Sequence, residues 1–238
     1  MIVCAAACPA PPLLARELTG ADPVVPDLRE ACAGAVAELV AAGPGLIAVA
    51  GVAANTAEWD PAGRLDLTPY APALRGAAES GRGAPCAQPS AAALPLSLGL
   101  GARLLDEAGY RGPRLLQSVS EESEPGDCAV IGKRLAAAAE RAGLLVMADG
   151  SARRSLKAPG YLDERSAAFD ESVEQALRAG DLAALLDLDA GLARELMATG
   201  RPAWQVLAGA MNGQRPACEI RYTGDPFGVA YLVAVLRP

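Results

Sequence analysis

A handful of side chains of this sequence could do chemistry, and no histidine is available to assist any of them. Asp149 and Ser151 flank Gly150 directly after the apolar run Leu144-Leu145-Val146-Met147-Ala148. A Ser-His-Asp triad needs an imidazole base that this chain lacks. Cys8 closes another apolar run. It has no histidine to draw off its proton, and the thiolate is the reactive form of cysteine. The catalytic candidates are therefore Asp149, Ser151 and Cys8. Asn55 and Glu58 lie in the segment Ala53 to Asp60, where Glu58 and Asp60 flank Trp59 as a candidate acid/base pair. Arg153, beside Arg154, has the fork geometry that clamps a carboxylate. Asn55, Glu58, Arg153 and Trp204 are the substrate-binding candidates. Each also has an ordinary reading: Asp149 as a turn residue before glycine, Cys8 and Trp204 as core, Glu58 and Arg153 as solvated surface.

These residues need elements to position them. Residues 1–8 are apolar and stop at Pro9-Ala10-Pro11-Pro12, where a strand ladder cannot continue. Helical spacing runs from Asp27 to Ala42 and ends at Gly43-Pro44-Gly45. Leu46 to Val52 reads as a buried strand. The alternation repeats: a helix over 95–109, a strand over 114–119, a helix capped by Asp127 and stopped by Gly143, then a strand over 144–148. Residues 53–93 read as a long loop with one short strand. Helices are predicted over 163–179, 181–198 and 201–211, followed by strands over 217–222 and 228–236. The pattern predicts one α/β domain over 1–238, with a mostly parallel central sheet flanked by helices, a C-terminal helical segment and a final strand pair. In such a sheet, sites lie beyond the carboxyl ends of the strands. Ala10 and the Asp149-Gly150-Ser151 turn should therefore meet at one edge.

Bulk properties narrow the function. The chain has 238 residues, a net charge of −7 and 52% apolar residues, with only 4% aromatics. An acidic chain does not offer the field that nucleic acid requires. The apolar start lacks a basic region, and no run approaches the length of a membrane span. The expectation is a cytoplasmic protein with no nucleic-acid or membrane partner. The six cysteines form no C-x-x-C and read as reduced core residues.

Three stretches carry a resemblance. Cys8-Pro9-Ala10-Pro11-Pro12-Leu13-Leu14 follows the first strand. Met147-Ala148-Asp149-Gly150-Ser151-Ala152-Arg153-Arg154 follows a buried strand. Phe169-Asp170 through Leu177 precedes Ala203-Trp204-Gln205-Val206-Leu207. Their order, with the ending Pro226 to Tyr231, resembles the class III extradiol ring-cleavage dioxygenases (the protocatechuate dioxygenase β-subunit type), and among them small Ala-rich members of actinobacterial type. The resemblance implies an α/β fold and a pocket holding non-haem iron through two histidines and a carboxylate. This chain departs from that pattern at every imidazole. Ala10 stands at the first ligand position, Ala53 to Trp59 spans the second, and Ala152 stands at the acid/base position.

The reading that follows is a divergent relative with a small-molecule pocket and no histidine-held iron, either a non-dioxygenase enzyme or an inactive relative. Its ligand is expected to be aromatic or carboxylated, and no cofactor is predicted. One alternative is a metal-dependent ring-cleaving dioxygenase using Cys8, Glu58, Asp60 or Asp149 as ligands. Another is a non-catalytic, dimerising interaction protein, a homodimer.

Overall fold

Three apolar runs and a fourth, partly polar strand lie side by side at the centre of the protein. The computed structural model describes residues 1–20, 24–71 and 92–238. The parallel strands are β1 (Ile2–Cys8), β2 (Leu46–Ala53), β6 (Arg114–Ser120) and β7 (Ala142–Met147). Three antiparallel strands flank them: β3 (Ala57–Trp59), β8 (Ala217–Gly224) and β9 (Tyr231–Arg237). The sheet order is β3-β6-β2-β7-β1-β9-β8. It is parallel from β6 to β1 and antiparallel at both margins. A separate short pair joins β4 (Arg64–Leu65) to β5 (Ala93–Leu94). This is the α/β architecture that the sequence pattern predicts. Residues 72–91 of the long 53–93 segment, Cys86 among them, fall outside the described residues, and the described part contributes to three short strands, β3, β4 and β5, rather than the one expected.

Both faces of the sheet are covered, which is why β1, β2 and β7 read as unbroken apolar runs rather than alternating ones. One face of β1 (Cys4, Ala6, Cys8) packs against α2 (Pro26–Ala41), and α3 (Leu96–Glu107) covers β2 and β7 beside it. The other face (Ala5, Ala7) meets the core built on α4 (Pro125–Ala137) and α8 (Arg201–Ala210). Helices α5 (Arg165–Ala179), α6 (Leu182–Leu186) and α7 (Ala190–Glu195) complete that layer; the short α1 (Arg16–Thr19) follows β1. Small residues set the spacing. A side chain on Gly132 of α4 would collide with the backbone of α8, and one on Gly209 would collide with the backbone at Ala129. No helix among the described residues is long and apolar enough to cross a membrane.

Several boundaries differ from the sequence pattern. Helix α4 begins at Pro125, so Asp127 lies inside its first turn rather than capping it. It ends at Ala137, and Gly143 is a strand residue. A Cβ there would press on Leu39, Ile47 and Pro44, so Gly143 serves the packing of α2 over the sheet rather than a helix stop. The helix expected over 181–198 is two helices. The Asp189 carboxylate accepts from the Leu192 N–H at 2.6 Å and starts a new helix there.

Candidate functional site

The strand ends build a cavity at the carboxyl edge. After Met147 the chain continues beside β1, with the Ala148 N–H donating to the Cys8 carbonyl at 2.9 Å. The turn that follows is pinned on two further sides. Gly200 N–H donates to Asp149 O at 3.0 Å, and Gly150 N–H donates to Ala230 O at 2.8 Å. Gly200 must be glycine, because a Cβ there would collide with the Asp149 backbone. On the facing wall, Gly51 lets the start of α3 approach, and the Ser97 hydroxyl donates to Val52 O at 2.8 Å. The result is a cavity of about 190 Å³ bounded by Ala10, Val52, Ser97, Glu121, Asp149 and Gly200, with Tyr70, Leu96, Met147 and Thr199 completing the wall.

Asp149 is the chemically distinctive group of this cavity. Among the described residues its carboxylate accepts one hydrogen bond, from the Ala10 N–H at 2.8 Å. Burial pushes its pKa up to about 6, against the lowering effect of that hydrogen bond. A carboxyl group titrating near 6 can both give and take a proton close to neutral pH. Among the described residues the lining contains a second carboxylate, Glu121, and no Lys or Arg.

The other candidates are dispersed. Ser151, next in line after Gly150, turns away from this cavity. It is fully buried, and its N–H and hydroxyl both donate to the Asp170 carboxylate, at 2.9 and 2.6 Å. Cys8 lies in the core, where contact with the Cys32 thiol and then burial hold its proton well above the usual range. Asn55 is exposed, and its carbonyl accepts from Ser118 at 2.6 Å. Glu58 is exposed on β3 and pairs with Arg134 at 3.3 Å. Arg153 donates to the Glu195 carbonyl at 2.9 Å and stands 3.8 Å from Asp163, away from the cavity. Trp204 is buried on α8. Ser97, Glu121, Thr199 and Gly200 enter the site without a sequence signal of their own. The one available clue was that Glu121 lies in the loop immediately after a parallel strand, where such folds place their sites.

The donor set does not fit histidine-held iron. Ala10 and Ala152 offer no lone pair. Among the described residues no three His, Cys, Asp or Glu side chains converge closely enough to hold a metal ion. Cys8, Glu58, Asp60 and Asp149 do not come together.

No family model matches the chain, and no curated protein does. Among solved structures, the chain is similar to the crystal structure of an uncharacterized protein, JW3007, from Escherichia coli K12. The likeness spans 99% of this chain and 100% of that one, with a TM-score of 0.57 and 17% identity. It concerns the α/β fold over essentially its whole length.

Proposed function

We propose that this chain is a histidine-free relative of the class III extradiol dioxygenases that binds a small aromatic molecule in the carboxyl-edge cavity, with Asp149 exchanging a proton or hydrogen bond with it. The observation that carries this reading is the Asp149 carboxyl group, which sits on the cavity wall beside Ala10 with a pKa near 6. Among the described residues two carboxyl groups and no cation line the cavity, so a neutral phenolic hydroxyl suits it better than a carboxylate. Arg153, the candidate clamp for a carboxylated ligand, is engaged elsewhere. The Ser97 hydroxyl and the apolar Val52, Leu96 and Met147 complement such a ring. Proton transfer by Asp149 is chemistry that needs no metal.

The test uses catechol and protocatechuate as probes, followed by calorimetry on the full chain with and without added Fe(II). Catechol binds more tightly than protocatechuate, Asp149→Ala weakens catechol binding several-fold, and neither probe is ring-opened when Fe(II) is supplied. Ring-opened product at an ordinary enzymatic rate, or catechol binding indifferent to Asp149→Ala, overturns the proposal.

A further inference from the structure

Large apolar side chains stand exposed where three segments of the chain meet. The loop over 152–163 is laced to its neighbours: the Ala152 N–H donates to Leu196 O at 3.1 Å, and the Arg154 N–H donates to Gly228 O at 3.0 Å. A Cβ on Gly160 would fall 2.5 Å from the Met197 Sδ, and one on Gly228 would meet Ser155 and Ala158. Met197 therefore lies against the residue before Tyr161, and Phe227 adjoins the turn that carries Leu156. Leu156 is 62% exposed, Tyr161 and Phe227 are each 61% exposed, Met197 43% and Leu162 40%. The charges bordering them are paired. Arg165 lies 2.7 Å from both Asp163 and Glu195, and Arg154 lies 3.1 Å from Asp225.

The backbone supplies an independent sign that these side chains serve something outside the fold. Among the described residues, the non-glycine residues with positive φ are Tyr161 at 61°, Met197 at 53° and Phe227 at 61°. In that region a Cβ crowds the following carbonyl oxygen, a cost that glycine escapes. The chain does place glycine at positive φ elsewhere, at Gly43 and Gly180. Here it keeps three bulky side chains in the costly conformation and leaves much of each in water. Strain of this kind persists where function calls for the side chain. The five residues expose on the order of 500 Å², about the apolar share of the roughly 800 Å² that each partner of a standard interface buries. The paired border points to a second copy as the occupant. The chain carries a net charge of −7, so two copies repel overall, and least where the charges are balanced. An isologous contact also needs only one such surface, supplied twice.

We infer that Leu156, Tyr161, Leu162, Met197 and Phe227 form the contact between two copies of this chain related by a two-fold axis. The inference is independent of the ligand read for the carboxyl-edge cavity. Sedimentation equilibrium on the full chain should show a dimer at about 50 µM, since interfaces of standard size hold at micromolar concentration or below. Tyr161→Gly and Phe227→Gly should each weaken the dimer about tenfold or more, as the loss of an aromatic anchor does. Compared at a dilution where all are monomeric, both variants should melt no lower than the original chain, because glycine relieves the left-handed backbone. Leu156→Asp, at a residue without positive φ, should weaken the dimer as well. Val130→Ser, at an exposed apolar residue of α4 outside this surface, should leave it intact. A chain that stays monomeric throughout would overturn the inference. So would a dimer unmoved by the three variants, or one broken equally by Val130→Ser. Glycine variants that melt well below the original chain would show that the side chains serve the fold instead, and would overturn it too.

Discussion

Asp149 and Asp170 stand on opposite sides of one three-residue turn and show how differently the same side chain is used. Both are pushed above the usual carboxylate range, and burial is the leading cause for each. Asp170 is saturated: it accepts the N–H and hydroxyl of buried Ser151 and stands near Arg154. Among the described residues Asp149 accepts a single backbone N–H, and it faces a cavity. The desolvation that both aspartates undergo is answered in one case by internal partners. In the other it is left for a ligand or a proton. A raised pKa alone does not separate a structural carboxylate from a reactive one; the number of partners already present does.

The strongest test of that contrast is Asp170→Ala. It strands two buried donors on Ser151, each costing about 1–3 kcal/mol when orphaned, so a loss of about 2–6 kcal/mol is expected in urea unfolding. A loss below that of a surface substitution would show that Asp170 is not the structural partner described.

The next test is the pH dependence of Asp149. Its ordinary value is 3.8 and its folded value is about 6. Between those values the folded protein holds a proton that the unfolded chain has released, so its contribution to stability is present at low pH. That contribution is lost as pH rises through 6, amounting to at most about 3 kcal/mol. Asp170 shifts in the same direction and contributes in both proteins. Asp149→Asn should therefore flatten, without abolishing, the fall in stability between pH 4 and pH 7 measured by denaturant unfolding. Parallel curves for the two proteins would remove the titration assigned to Asp149.

The smallest effect is expected at Glu58, a carboxylate belonging to neither side of the turn. Its pair with Arg134 is exposed at both ends, and such pairs contribute within about 0.5 kcal/mol. Glu58→Gln should leave both the melting temperature and catechol binding essentially unchanged. A clear loss of binding would mean that the edge strand β3 belongs to the site.

Much of the fold was legible in the order of residues. Leu46 to Val52 and Leu144 to Ala148 are apolar without interruption because both faces of their strands are covered, and that pattern is local. The stops at Pro9-Ala10-Pro11-Pro12 and at Gly43-Pro44-Gly45 follow from backbone chemistry that needs no context. Placing the Asp149 turn at the carboxyl edge beside Ala10 also followed, since both strands run parallel, and the hydrogen bond between them lies there. Gly143 shows where local reading fails. It has the form of a helix stop, yet contact with Leu39, Ile47 and Pro44 makes it a packing residue.

The assignment of partners was decided only by tertiary structure. Nothing local separates Asp149 from Asp170, or sends Ser151 away from the cavity that its neighbour lines. Ser151 meets Asp170 across 19 positions, and Ala10 meets Asp149 across 139. The sequence determined which segments become buried strands, because apolar periodicity and turn chemistry act between near neighbours. Folding decided which carboxyl group is satisfied and which is left open, because a buried polar group takes its partners from whatever the packed chain brings within reach.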